Sequence, residues 1–332
     1  MPELRHDSIT SRSVIIASER AKRPRQEHDN SDQRREDAGP CPFCAGNEAL
    51  TPPEVWALRK DGTRADQPGW KVRAVPNKYP ALEASSASLA KKDGLYESLG
   101  AIGAHEVIIE SPDHLIDVGA LDAERWTDVM RAYRARLGAL GSDPRWRYLL
   151  LYKNQGERAG ATLEHVHSQV IALAALPQSM IAELSRAHAH RESTGRCAYC
   201  EMIQSESASA RWVMESEKFI ALCPFAPRFA YETWVLPRNH TAAFEQNTDE
   251  DCADLALFLR DFFLRLNRVL DRPPLNYVIQ SKPPRADADG YFHWRMEILP
   301  QFNRAAGFEW GSGLWMNSLA PEETARLLRD PL

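Results

Sequence analysis

His165, His167 and Gln169 occupy alternate positions of EHVHSQVIAL, residues 164–173, a run that otherwise reads as a buried strand. Residues two apart on a strand share a face, so these three polar groups line up while Val166, Ser168 and Val170 point the other way. A rigidly held neutral imidazole is a competent nucleophile near neutral pH, and a neighbouring primary amide can donate to a negatively charged oxygen. The preceding loop, NQGERAGATLE, supplies glycines whose backbone N–H groups can approach a phosphate. Together these features point to phosphoryl or nucleotidyl chemistry, with His167 and Gln169 as the catalytic pair. The competing reading, a hydrogen-bonded core histidine, explains neither the amide nor the loop.

Four of the six cysteines form two C-x-x-C pairs, Cys41/Cys44 and Cys197/Cys200. Six are too few for a disulfide scaffold in a chain of 332 residues, so metal binding or redox chemistry is favoured. Cys223 and Cys252 read as small buried apolar residues. Each pair is followed by two histidines, His114 and His165 in one case and His240 and His293 in the other. The histidines are 51 residues apart in the first set and 53 in the second, and ESPDH resembles LPRNH in context. Two thiolates and two imidazoles suit a tetrahedral zinc, and a closed four-ligand site leaves no room for substrate. Both metals are therefore expected to support folding rather than chemistry. The longer cysteine-to-histidine gap of the first set predicts an insertion of about thirty residues, within 57–94.

The elements that must position these groups follow from periodicity. Apolar residues three and four apart predict helices over 122–140 and 249–270, and strands are expected at EVIIESP, YLLLYKN, HSQVIAL, ETWVLP, NYVIQS and RMEILP. The order strand, long helix, strand, strand occurs twice. The reading is an α+β (α/β) protein with two similar halves, 1–178 and 179–332, each an antiparallel sheet with packed helices. Aligning His165 with His293 puts Arg295 opposite His167 and Glu297 opposite Gln169. One active site per chain is thus expected, with the second half a degenerate copy.

The formal net charge of −5, with signs mixed throughout, gives no reason to expect nucleic acid or an acidic membrane as partner. The first residues lack an apolar signal core and no run is long enough for a membrane helix, so a cytoplasmic location is expected.

The ordered stretches RSVIIASERAKRP, CPFCAGNE, VPNKYPALE, ESPDH, NQGERAGATLEHVHSQ, CAYCEMI, YETWVLPRNH and FHWRMEILP resemble the galactose-1-phosphate uridylyltransferase family of the histidine-triad superfamily. The resemblance implies duplicated histidine-triad-like halves, a homodimer, a place in galactose metabolism, and ping-pong transfer between a nucleotide sugar such as UDP-glucose and a sugar 1-phosphate. His167 would become a nucleotidyl-histidine, with Gln169 and the loop residues Gly160, Ala161 and Thr162 binding the transferring phosphoryl group. Arg20, Arg23, Asn77 and Asn154 match the family's nucleotide contacts. Cys41, Cys44, His114 and His165 match one zinc site, and Cys197, Cys200, His240 and His293 resemble the second site of its double-zinc branch. The polar groups that galactose-specific members present near the C-terminus do not align with RAAGFEWGSGLWMNSLAPEE, which looks closer to the branch containing plant ADP-glucose phosphorylase. An adenylyltransferase using ADP-glucose with phosphate or sulfate is therefore the alternative. A zinc-stabilised nucleotide-binding module without turnover is the reading from a different class.

Overall fold

A computed structural model describes residues 2–18, 39–84, 91–98, 100–302 and 305–330. In chain order its strands and helices begin with β1 (Glu3–His6), β2 (Ser13–Ile16), β3 (Trp56–Arg59), β4 (Trp70–Pro76), β5 (Lys91–Asp93), β6 (Tyr96–Ser98) and β7 (Gly103–Ile109). There follow α1 (Ala123–Ser142), β8 (Tyr148–Gln155), β9 (His167–Leu173), α2 (Gln178–Thr194), α3 (Ala198–Glu206), β10 (Trp212–Glu215), β11 (Phe219–Leu222) and β12 (Thr233–Pro237). The chain closes with α4 (Asp249–Leu270), β13 (Leu275–Gln280), β14 (Arg295–Pro300), α5 (Gly307–Ser312), β15 (Trp315–Asn317) and α6 (Pro321–Arg329).

The long helices start where a side chain can satisfy the orphan N–H groups of the first turn. Asp122 caps α1 by accepting from the Arg125 N–H at 2.9 Å, so the helix begins one residue later than its apolar period suggests. Thr248 and Asp251 exchange reciprocal bonds at the start of α4, a capping box. Trp126, Val129, Met130, Tyr133 and Leu137 line the buried side of α1, and Leu255, Phe258, Leu259, Phe262 and Leu266 that of α4. The helices meet through Trp126 and Phe263, stacked at 5.5 Å. Each such side chain removed from water contributes roughly 1.5–3 kcal/mol before entropy is set against it.

Both helices cover one face of a ten-stranded sheet ordered β10-β11-β12-β14-β13-β8-β9-β7-β4-β3, with every neighbouring pair antiparallel. Counted inward from either edge, the two five-stranded blocks have the same order. They meet where β8 pairs with β13, Tyr152 opposite Val278. The doubled strand-helix-strand-strand order expected from sequence is β7-α1-β8-β9 and β12-α4-β13-β14. What periodicity did not announce is the edge-to-edge fusion of the two sheets into one.

The extra chain of the first block falls in two places, the β3–β4 turn and the β4–β7 connection, which carries the β5–β6 hairpin. β1 and β2 form a separate three-stranded sheet with β15: β2 runs parallel to β15, Ile15 opposite Met316.

Candidate functional site

Each C-x-x-C turn and its two histidines converge, with ligand atoms of each set within 4.8 Å of one another. A tetrahedral zinc with sulfur at about 2.3 Å and nitrogen at about 2.05 Å sets S···N separations of about 3.6 Å. Sγ of Cys44 lies 3.4 Å from His114 Nδ1 and 3.6 Å from His165 Nδ1, and Sγ of Cys41 lies 3.6 Å from His165 Nδ1. In the second set Cys200 Sγ lies 3.3 Å from His240 Nδ1 and 3.8 Å from His293 Nδ1. The far ring nitrogens are tied to carbonyls: His165 Nε2 to Ser111 O at 2.8 Å, His293 Nε2 to Pro237 O at 2.9 Å, and His240 Nε2 to Asp289 O at 2.6 Å. Those bonds fix the tautomer that leaves Nδ1 free for a metal. Burial and the neighbouring Cys41 push the Cys44 thiol up to about 11, so two thiolates there need a cation to hold them. The donor sets fit two zinc ions.

His165 sits in the bend before β9 rather than in the strand, because its ring must turn towards Cys41 and Cys44. Its backbone carbonyl accepts from His167 Nδ1 at 2.7 Å. The proton of His167 is thereby held on Nδ1 and the lone pair left on Nε2. Burial lowers the His167 pKa, outweighing the opposing effect of that hydrogen bond, so the ring is neutral at neutral pH. Phe43, the residue between the first two cysteines and next to Cys44, packs edge-on against both rings, 6.0 Å from His165 and 5.1 Å from His167. The first Cys2His2 cluster therefore braces the His167 ring through His165's own backbone and through Phe43.

Gln169 lies on the same face, opposite Val107 of β7 and Tyr152 of β8. Its Oε1 lies 2.7 Å from His105 Nε2, 3.1 Å from the Tyr152 hydroxyl and 3.4 Å from Asn77 Nδ2. Asn77, singled out by sequence, is thus part of the cluster. His105 and Tyr152 were not singled out, since neither belongs to a motif; their only signal is strand parity, which puts them on the face of Gln169.

Behind β9 the opposite face is charged although dry. Ser168 donates to Glu110 Oε1 at 2.5 Å, Tyr133 bonds the same carboxylate, and Tyr277 reaches Tyr133 from β13 at 2.5 Å. Lys153 forms an ion pair with Glu110 and donates to the His167 carbonyl at 3.0 Å. Burial alone would raise the Glu110 carboxyl, but the Lys153 ammonium and the hydroxyls hold it below its usual value. The pair and its hydroxyls grip the strand at His167 and Ser168 from below.

The loop from Gly156 to Thr162 forms a short 3-10 turn, with Gly156 and Gly160 at φ 80° and 88°. Its Gly160 and Ala161 N–H groups are turned inward, to Glu157 O at 2.9 Å and Gly156 O at 3.2 Å, and Thr162 is exposed. Asn154 is tethered to Asn276 Nδ2 at 2.8 Å. Arg20 and Arg23 lie outside the described residues.

In the second block the position matching His167 is filled by Arg295, fully buried between Glu183 at 2.7 Å and Glu297 at 2.8 Å. Arg12 and Arg228 close on Glu297 at 3.1 and 2.7 Å and extend the network to Glu232. This face is filled by three arginines and three glutamates.

Comparison with known proteins gives the class: the chain is an enzyme of the nucleotidyltransferase type. A model for the galactose-1-phosphate uridyl transferase N-terminal domain matches residues 1–177, and the chain belongs to that family. A second model, for a domain of unknown function (DUF4921), matches residues 101–330. ADP-glucose phosphorylase of Arabidopsis thaliana is 33% identical, over 99% of this chain and 93% of its own length. Galactose-1-phosphate uridylyltransferase of Thermotoga maritima is 26% identical, over 99% of this chain and 98% of its own. The crystal structure of the Arabidopsis enzyme with bound ADP-glucose superposes with a TM-score of 0.85 at 31% identity, covering 99% of each chain. The structure of a uridylyltransferase superposes at 0.76 with 26% identity, covering 99% of this chain and 98% of its own.

Proposed function

We propose that the chain catalyses ping-pong nucleotidyl transfer, acting as a UDP-glucose:hexose-1-phosphate uridylyltransferase, with galactose 1-phosphate as the acceptor class. The observation that carries this reading is the His167 imidazole, neutral, with Nδ1–H donating to the His165 carbonyl and Nε2 bare. Nε2 attacks the α-phosphorus as the bond to the bridging oxygen breaks. The electron pair leaves with the sugar 1-phosphate, and the Nδ1 proton stays where it is. In the second half-reaction a phosphate oxygen of the acceptor displaces the histidine. The transition state is loose and its charge spread over oxygens, so positioning and hydrogen bonding supply most of the catalysis. Gln169 offers its amide N–H groups to those oxygens. Asn77, Asn154, Gly160, Ala161 and Thr162 border the nucleotide, and the resemblance assigns Arg20 and Arg23 to nucleotide binding, in a homodimer of the kind it implies. Zinc at both Cys2His2 sites serves the fold.

A second reading keeps His167 and changes the base: adenylyl transfer from ADP-glucose to phosphate or sulfate. The 33% identity to the Arabidopsis phosphorylase favours it. Intact mass after brief incubation with each nucleotide sugar separates the two. A uridylyl increment supports the first and an adenylyl increment the second, and either must vanish in His167→Gly. Adduct formation that survives His167→Gly refutes the nucleophile.

A further inference from the structure

Three donors surround a single acceptor, the Oε1 of Gln169, and His105 Nε2 is the nearest of them at 2.7 Å. Asn77 is oriented independently, because its Oδ1 accepts the Tyr79 backbone N–H at 2.9 Å, which leaves Nδ2 facing His105 and Gln169. His105 Nδ1 is buried and has no hydrogen-bond partner. With the proton on Nε2, the ring donates to Gln169 and Nδ1 is an unpaired acceptor. With the proton on Nδ1, a buried N–H would have no acceptor and two lone pairs would face each other across 2.7 Å. Rotating the Gln169 amide to avoid that would set its NH2 against the Asn77 NH2 at 3.4 Å and still strand the buried Nδ1–H, whereas the Nε2–H tautomer leaves one donor–donor approach, Asn77 Nδ2 to His105 Nε2 at 3.2 Å. Orphaned buried N–H groups are rarer than under-satisfied acceptors, so the Nε2–H tautomer is the stable one.

We propose that His105 is a positioning residue for the nucleotidyl transfer described above: its Nε2–H pins the Gln169 carbonyl and so aims the Gln169 amide N–H groups at the phosphoryl oxygens. Gln169 Nε2 has no hydrogen-bond partner among the described residues, which leaves both of its protons for the substrate. Without His105, Oε1 keeps only the longer bonds to Tyr152 and Asn77, and the amide can turn its oxygen towards the phosphate. The inference rests on the nucleotidyl-histidine reading and adds to it the group that sets the amide's direction.

The test is single-turnover formation of the nucleotidyl adduct, by rapid quench and intact mass with UDP-glucose and ADP-glucose, with zinc content and Tm checked for every variant. His105→Ala is expected to slow the adduct step by about 10- to 100-fold, below or within the range for outright loss of a transition-state donor. The substrate concentration at half-maximal rate should change little. His105→Gln, whose amide nitrogen can occupy the place of Nε2, should recover most of the rate, and His105→Asn, whose shorter amide imitates Nδ1, should not. In a Gln169→Ala background, His105→Ala should cause no further loss, because the two act as one unit. A wild-type rate in His105→Ala overturns the proposal. So does an equal loss in the Gln169→Ala background, or equal rescue by asparagine. If wild-type protein gains no nucleotide from either sugar, the nucleotidyl reading itself falls and this proposal with it, an outcome the wild-type control reports separately.

Discussion

Replacing Lys153 by methionine removes the ammonium of a 1%-exposed side chain from beneath His167 while keeping most of its volume. Two partners are stranded. Glu110, itself 0% exposed at the side chain, loses its counter-charge, and the His167 carbonyl loses its 3.0 Å donor. Breaking a buried ion pair from one side costs about 3–5 kcal/mol. For a chain of 332 residues the unfolding entropy is roughly 0.7 kcal/mol per kelvin, so a 4 kcal/mol loss lowers Tm by about 6 °C. Glu110→Gln in the same background should return the protein to within about 1–2 kcal/mol of wild type, because the uncompensated charge goes and an acceptor for Tyr133 and Ser168 remains. Activity should not return with it, since the His167 carbonyl still lacks its donor. Denaturant titration of the four proteins of the cycle, with the adduct rate measured on each, checks both parts. Additive losses in the double variant, or a Lys153→Met Tm within 1 °C of wild type at full activity, would show that the pair does not hold the strand.

Metal analysis should find two zinc ions per chain. Cys41→Ser should lose one of them and slow adduct formation, because Phe43 and the His165 carbonyl are released together, whereas Cys197→Ser should lose the other and act mainly on stability. Stability should also fall on acidification. Glu110, Glu54 and Glu297 are raised by burial but lowered more strongly by Lys153, by Arg59 and Arg73, and by Arg12, Arg295 and Arg228 respectively. Their folded values thus lie below the unfolded value of about 4.3, so the unfolded chain takes up protons first. The denaturation midpoint should be flat above about pH 5 and decline below it, with zinc retention followed in parallel; an unchanged midpoint down to pH 3 contradicts the argument.

The two Cys2His2 clusters were legible because a closed four-ligand site demands residue types that few other roles demand, and the near-equal histidine spacing set the two groups in parallel. Helices at 122–140 and 249–270 were legible from amphipathic period, and α4 matches to the residue. Strand parity likewise put Ser168 on the face away from His167. The partners waiting there were invisible, since Glu110 and Lys153 carry no local sign that each is buried against the other 43 residues away. The fusion of β8 to β13 was hidden for a similar reason: two buried strands with both edges paired look the same from sequence whichever neighbour they take. His105 escaped because its partner is a side chain across a strand pair, a relation with no fixed sequence offset.

The pairing of β2 with β15 also sets a timetable for synthesis. A ribosome releases residues 13–16 long before residues 315–317 exist, so the three-stranded sheet β1-β2-β15 cannot close while the intervening chain is being made. Arg12, carried on the turn beside β2, is one of the cations that neutralise Glu297, and Glu297 itself emerges late. Tyr277 and Asn276 of β13 likewise reach back to Tyr133 and Asn154, so the buried network beneath His167 is also completed only when the late strands have emerged. The Glu297 charge network, with Arg12 lying 285 residues away in the chain, thereby closes only near the end of synthesis.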